Sequence, residues 1–122
     1  MDKFELAWDT YDFHTAIACE LEGKHGLLVD SYHRFLENNL NPSQAKKTYI
    51  RNKLNKSFNL ILSAYKKQLD SIDDLIKYYK ADKDISNVRE LDPQLLFDLK
   101  NTTSTLVEEL KVFRGQINEV LR

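Results

Sequence analysis

Residues 93–122 read PQLLFDLKNTTSTLVEELKVFRGQINEVLR and carry the clearest structural pattern of the chain. Its apolar positions recur with alternating spacings of three and four residues, the heptad pattern of helices that pack in bundles or coiled coils. The pattern passes through Leu96, Leu99, Thr103, Leu106, Leu110, Phe113, Ile117 and Val120. Asp92 and Pro93 precede it as an N-cap and a first helical residue. We therefore predict one long helix with an apolar seam.

A second seam lies in the middle of the chain. Asn41 and Pro42 repeat the start signal, with Asn41 as the N-cap and Pro42 as the first helical residue. The seam consists of Leu54, Phe58, Ile61, Tyr65, Leu69, Ile72, Ile76 and Tyr79. We predict a helix from about residue 42 to about residue 80. Ser71-Ile72-Asp73-Asp74 resembles a capping box, which allows a kink or break near residue 70.

The N-terminal region, residues 3–39, supplies further apolar residues to cover these two seams. Gly23 and Gly26 interrupt it, so it forms either one bent helix or two helices. The chain has only three Gly and two Pro, too few turn residues for an all-β protein of 122 residues. We predict an all-α fold, a three- to four-helix antiparallel bundle with long coiled-coil-like helices, as a single domain over residues 1–122.

Charge is strongly segmented along the chain. Residues 1–37 hold three basic and eight acidic side chains, whereas residues 38–69 hold seven basic and none that is acidic. On a helical wheel a basic stripe forms opposite the seam from Lys46, Tyr49, Lys53, Lys56 and Lys67. Such a stripe can contact backbone phosphates and stack an exposed aromatic ring on a base. The alternative is that the basic helix pairs with the acidic N-terminal helix inside the bundle.

No catalytic constellation, cofactor motif or metal site is predicted. Glu22 and His25 have the E-x-x-H spacing of di-iron bundles, but the later seams carry no inward carboxylate to complete a centre. We therefore expect exposed histidines near a helix break. Cys19, the single cysteine, is expected to be a small buried side chain. The prediction is a protein that is not an enzyme and has no small-molecule substrate.

The remaining pattern favours an interaction protein. Tyr11, Tyr32 and Tyr78 are candidate anchors for a partner, because tyrosine is frequent at binding hot spots. We predict a non-catalytic protein-interaction module, such as an adaptor, inhibitor, immunity protein or accessory subunit, that binds another protein or itself as a homo-oligomer. The alternative is a nucleic-acid-binding accessory subunit that uses the basic stripe of residues 46–67. One cysteine, no signal peptide and no membrane-spanning stretch predict a cytoplasmic location.

Overall fold

The computed structural model describes residues 3–81 and 93–122. These two ranges form three helices: α1 (Lys3–Asn38), α2 (Gln44–Ala81) and α3 (Pro93–Val120). No strand occurs in these two ranges, so the predicted all-α fold is confirmed with three helices. Among the same residues, no helix combines the length and the apolar character that crossing a membrane requires.

The three helices form an up-down-up bundle with α2 in the centre. Side-chain hydrogen bonds that set the helix directions join Thr15 to Gln68, His25 to Ser57, Asn118 to Asn55 and Arg114 to Asn59. In each pair of successive helices, residue numbers rise along one helix as they fall along the other. The predicted antiparallel arrangement is therefore confirmed, and α1 and α3 run parallel to each other on two sides of α2.

The two glycines in α1 do not break it. The helix runs without interruption from Lys3 to Asn38, so the choice between one helix and two is settled in favour of one. Glycine in a helix interior costs about 1 kcal/mol relative to alanine, which lowers the stability of a helix without stopping it. The packing of the inner face of α1 along α2 outweighs that cost, as is usual for helices in proteins.

The start of α2 differs from the prediction. The Ser43 hydroxyl accepts a hydrogen bond from the Lys46 N–H at 3.3 Å, so Ser43 is the N-cap and the helix begins at Gln44. Asn41 and Pro42 therefore precede the helix. The helix has no break near residue 70: it continues from Gln44 to Ala81, and the Ser71 hydroxyl donates to the Lys67 carbonyl at 3.0 Å.

The buried seam of α2 is shifted relative to the predicted one. Gln68 and Leu75 are buried at the places where the spacing pattern assigned Leu69 and Ile76, which are only half-buried. Ile61, Gln68 and Leu75 are buried and lie seven residues apart, on one side of α2. The polar residue among them, Gln68, donates a hydrogen bond to the Thr15 hydroxyl at 3.1 Å, which satisfies the buried amide.

The seam of α3 also changes position. Leu106 and Val120 are 37% and 57% exposed, and Val107 and Leu121 pack inward instead. An α-helix has 3.6 residues per turn, so a strict seven-residue repeat drifts by about 20° per heptad away from a straight neighbour. Consecutive spacings of four residues, as in Leu99–Thr103–Val107, correct that drift.

The core consists of three apolar clusters along the bundle axis. One end holds Phe4, Ala7, Tyr11, Ile72, Leu75 and Leu96. The middle holds Ala18, Ile61, Ala64 and Tyr65. The other end holds Tyr32, Leu54, Phe58, Ile117 and Leu121. Polar contacts lie between the clusters and help fix the register of the helices, as buried polar residues do in coiled coils.

Candidate interaction groove

A groove lies between the C-terminal part of α1 and the N-terminal part of α2. It consists of two adjoining depressions of about 390 Å³ each, which share Phe35, Tyr49 and Ile50. The first is also lined by Leu28, Ser31, Tyr32, Lys53 and Leu54, and the second by Ala45 and Lys46. We call these residues together the α1–α2 groove. Its lining is mainly apolar, carries two lysines and includes no carboxylate.

The arrangement of the helices explains why the groove stays open. Tyr32 and Leu54 belong to the core cluster at this end of the bundle and form the floor of the groove. Leu121, just beyond α3, belongs to the same cluster, and Arg51 on α2 donates to its carbonyl at 3.4 Å. Arg51 does not line the groove, so α3 closes another side of the α1–α2 pair and leaves the groove uncovered.

Tyr49 is the most prominent side chain of the groove. It is 63% exposed, and the Lys53 ammonium lies 5.6 Å from the centre of its ring. This is the geometry of a cation–π contact, which keeps the lysine beside the ring without neutralising its charge. Tyr49 and Lys53 therefore present a flat aromatic surface and a positive charge side by side.

The lysines of the groove have no acidic partner in the part of the chain that the structure describes. Lys46, Lys53 and Lys56 are exposed, and none of them forms an ion pair with another described residue. The sequence left open that the basic segment pairs with the acidic α1. Among the described side chains, no basic residue of segment 44–62 forms an ion pair with α1. Their charges remain available to a ligand.

The structure brings together only part of the predicted basic stripe. Lys46, Tyr49 and Lys53 lie together at the groove. Lys56 is exposed but does not line it. Lys67 is fourteen residues beyond Lys53, about 21 Å along the helix, and is a separate exposed charge.

The three tyrosines proposed as partner anchors occupy different environments. Tyr11 is a core residue whose ring packs against Trp8, so it is not available at the surface. Tyr32 is buried at the floor of the groove, where burial raises the pKa of its phenol. Tyr78 is half-buried, 5.5 Å from the Lys77 ammonium. It lines a second depression of about 300 Å³ with Lys3, Leu6, Ala7, Thr10, Ser71 and Asp74.

The expectation that His25 is exposed near a helix break is wrong. Because α1 is continuous, His25 faces the bundle interior and is 6% exposed. Its Nδ1 lies 2.7 Å from the Ser57 hydroxyl, and its ring meets Phe58 edge-on with centres 4.4 Å apart. Burial lowers the pKa of the imidazole. His25 is therefore a neutral core residue that links α1 to α2.

The E-x-x-H pair does not form a ligand set. Glu22 accepts a hydrogen bond from the Tyr65 hydroxyl, while His25 turns toward Ser57. Burial and the Glu22 contact both raise the pKa of Tyr65 far above its ordinary range. In the described ranges, no three His, Cys, Asp or Glu side chains come together as metal ligands. Cys19 is exposed, which corrects the expectation that it is buried.

Sequence reasoning missed the apolar half of the groove. Phe35, Ile50 and Leu28 were recognisable as apolar residues at the edges of helical seams, but nothing in the sequence indicates which edge stays uncovered. That depends on the side of α2 on which α3 packs. No protein-family model, curated protein or solved structure matches this chain significantly.

Proposed function

We propose that this protein is a non-catalytic protein-interaction module that binds an acidic, amphipathic helix of a partner protein in the α1–α2 groove. The observation that carries the proposal is an open apolar groove with two lysines at its edge, Lys46 and Lys53, that form no ion pair with another described residue. Adaptors, inhibitors, immunity proteins and accessory subunits all work through such surfaces.

The shape of the groove favours a helical ligand. It lies between two antiparallel helices, and the described residues offer no strand edge to which an extended peptide could add. Recognition of an amphipathic helix in an apolar groove uses anchors at positions i, i+3 or i+4, and i+7. Exposed Tyr49, half-buried Phe35 and half-buried Ile50 supply the corresponding contact surface.

The charges of the groove favour acidic groups on the ligand. Lys46 and Lys53 are seven residues apart, which is two helical turns or about 10 Å. A ligand helix aligned with α2 meets both lysines when its own carboxylates are spaced two turns apart. Complementary charge at the edge of an interface contributes mainly to specificity and to the rate of association.

A non-catalytic role in the cytoplasm completes the proposal. Among the described residues, the titratable groups with perturbed pKa values, His25, Tyr32 and Tyr65, are buried core residues, and their partners are structural neighbours. Groups that act on a substrate need access to it. The single cysteine fits a reducing compartment, because it allows no disulfide within the chain.

The test is a pull-down from the source organism with matched variants. Tyr49→Ala combined with Lys53→Glu removes the aromatic surface and reverses one charge of the groove. Val112→Ala combined with Lys111→Glu makes the same kind of change on the exposed face of α3, where Val112 is 61% exposed. We expect a stoichiometric partner that is retained by the wild type and by the α3 variant and lost by the groove variant. Equal retention by both variants would refute the proposal.

Nucleic-acid binding through the basic stripe is the second candidate function. Lys46, Lys53 and Lys56 form no ion pair with another described residue. Together with the exposed Tyr49 they favour this function, because they combine phosphate-binding charge with a stacking surface. Three lysines neutralise at most about three phosphates. For duplex DNA, the logarithm of the binding constant should therefore fall with the logarithm of the salt concentration with a slope no steeper than about −3. Arg51 is held at the end of α3 and adds no contact. The small number of charges places this function second.

Titration of labelled single- and double-stranded DNA and RNA at several salt concentrations tests the second candidate. Salt-sensitive binding that is lost when Lys46, Lys53 and Lys56 are all changed to Glu would support it. Absence of binding at low salt would exclude it and leave the groove to a protein ligand.

A further inference from the structure

We propose that the acidic amphipathic helix that binds the groove is α1 of a second copy of this chain, so that the protein forms an antiparallel two-fold dimer through the α1–α2 face. This inference rests on the proposed function and names its partner. The N-terminal half of α1 has the chemistry that the groove requires.

The outer face of α1 carries large exposed apolar side chains in one row. Leu6, Phe13 and Leu27 are 57%, 63% and 68% exposed, and with Glu20 they follow one another at seven-residue intervals. Residues seven apart lie on the same side of a helix. Exposed Asp9 lies between the first two members of the row. This half of α1 is an acidic helix with two apolar anchors spaced two turns apart.

A row on α2 faces the same side of the molecule. Lys46, Lys53, Leu60, Lys67 and Asp74 also follow at seven-residue intervals, and Leu60 is 51% exposed. Lys53 lines the α1–α2 groove at one end of the helix pair, and Asp74 lines the second depression together with Leu6 at the other end. Both rows therefore lie along the same side of the α1–α2 pair.

The charges of the helix pair favour an antiparallel encounter between two copies. Segments 3–20 and 63–79, which lie side by side, hold seven acidic and four basic side chains. Segments 21–38 and 44–62 hold three acidic and seven basic ones. If the α1–α2 pairs of two copies point in the same direction, acidic end meets acidic end and basic end meets basic end. A two-fold rotation instead places the basic end of each copy against the acidic end of the other.

A two-fold axis near Glu20 also matches the apolar residues. Phe13 and Leu27 are each seven residues from Glu20, so each packs on the other in the second copy. Leu6 is fourteen residues from the axis and reaches the level of Phe35, in the groove of the other copy. The Lys24–Glu20 ion pair, 3.1 Å long, meets its own symmetry mate at the axis.

The face is large enough for a stable dimer. α1 has 36 residues and α2 has 38, so the pair extends for about 50 Å. Two packed helices are roughly 20 Å wide, which makes the face on the order of 1,000 Å². A stable protein–protein interface needs about 800 Å² from each partner.

Light scattering and sedimentation equilibrium on the full chain test the dimer. The wild type is compared with Phe13→Asp, which changes a residue exposed on α1, and with the control Val112→Asp on α3. We expect dimers for the wild type and the control, and a dissociation constant at least about tenfold weaker for Phe13→Asp. A wild type that stays monomeric from about 1 to about 200 µM overturns the inference, as does a Phe13→Asp dimer of unchanged affinity.

A charge exchange tests the orientation. In the antiparallel dimer Lys53 of one copy faces Asp9 of the other, so Lys53→Asp and Asp9→Lys each weaken the dimer and the double variant restores it. Failure of the double variant to restore affinity overturns the antiparallel register. If the wild type is a monomer but the groove variant still loses its partner in the pull-down, self-association is refuted and the proposed function stands. Loss of groove dependence in the pull-down refutes the proposed function.

Discussion

His25 Nδ1 and Ser57 Oγ lie 2.7 Å apart and link the middle of α1 to α2. The other ring nitrogen, Nε2, is buried without a hydrogen-bond partner among the described residues. A buried imidazole with one partner favours its neutral form, because a charge there loses hydration that a single hydroxyl cannot replace. We therefore expect the α1–α2 packing to weaken when His25 is protonated.

The first prediction concerns acid stability. Burial lowers the pKa of His25 below its ordinary value of 6.5, so at mildly acidic pH the unfolded chain binds a proton that the folded chain does not. Neutral, buried His25 therefore contributes to the free energy of unfolding, and this contribution is fully present above about pH 6.5. It is lost as the pH falls through the folded-state pKa, by at most about 1.4 kcal/mol per pH unit. Urea denaturation of the wild type and His25→Gln between about pH 7.5 and about pH 5 measures it.

His25→Gln keeps a polar group near Ser57 but cannot titrate, so its free energy of unfolding should depend less steeply on pH. His33 is exposed, and His33→Gln should retain the wild-type dependence. The same pH dependence in all three proteins would show that His25 does not cause it.

The second prediction concerns the glycines of α1. A methyl group added at Gly23 or Gly26 meets no atom within 4 Å, so alanine fits at both positions. Each substitution should raise the free energy of unfolding by about 0.5–1 kcal/mol, since alanine loses less backbone entropy than glycine on helix formation. Thermal and urea denaturation measure the gain. Destabilisation by either alanine would mean that α1 bends at that position.

The third prediction concerns the amide pair between α2 and α3. Asn55 and Asn118 each donate a side-chain hydrogen bond to the other, at 2.9 and 3.1 Å. Changing either residue to alanine should cost about 1–2 kcal/mol, because the remaining half-buried amide loses its partner. A double-mutant cycle should give a coupling energy of about 0.5–1.5 kcal/mol. Additive effects of the two single changes would show that the pair does not act as a unit.

The fourth prediction concerns the aromatic centre of the core. Phe58 is fully buried and contacts His25 and Phe113 edge-on, with ring centres 4.4 and 5.8 Å apart. Phe58→Ala should cost about 3–5 kcal/mol because it leaves a cavity between all three helices. The control Val112→Ala, at a side chain that is 61% exposed, should cost less than about 0.5 kcal/mol. Chemical denaturation that gives similar costs for the two variants would contradict this assignment of the core.

The sequence predicts the number and direction of the helices well, because helix formation and apolar periodicity depend on residues close together in the chain. Pro93 begins α3 as predicted. Leu54, Phe58 and Ile61 are buried as the seam of α2 requires. These features follow from a period of about 3.6 residues, which can be read from one segment at a time.

The positions of individual side chains around each helix are less predictable. Gln68 and Val107 face the core where the spacing pattern predicted Leu69 and Leu106, one residue away. The difference arises because each seam follows the actual direction of the neighbouring helix. His25 is buried because α1 continues through two glycines that the sequence allowed to be a turn. A rotation of one residue, about 100°, moves a side chain between the core and solvent.

An all-helical protein with segmented charge can be predicted from the amino-acid order alone, because both properties are local to the chain. Only the tertiary structure decided that Lys46, Tyr49 and Lys53 meet Phe35 in one groove while Lys67 lies apart. It also decided that Tyr11, a candidate partner anchor, is a core residue. Which flank of α2 stays open depends on where α3 packs, and that packing is not local to any one segment of the chain.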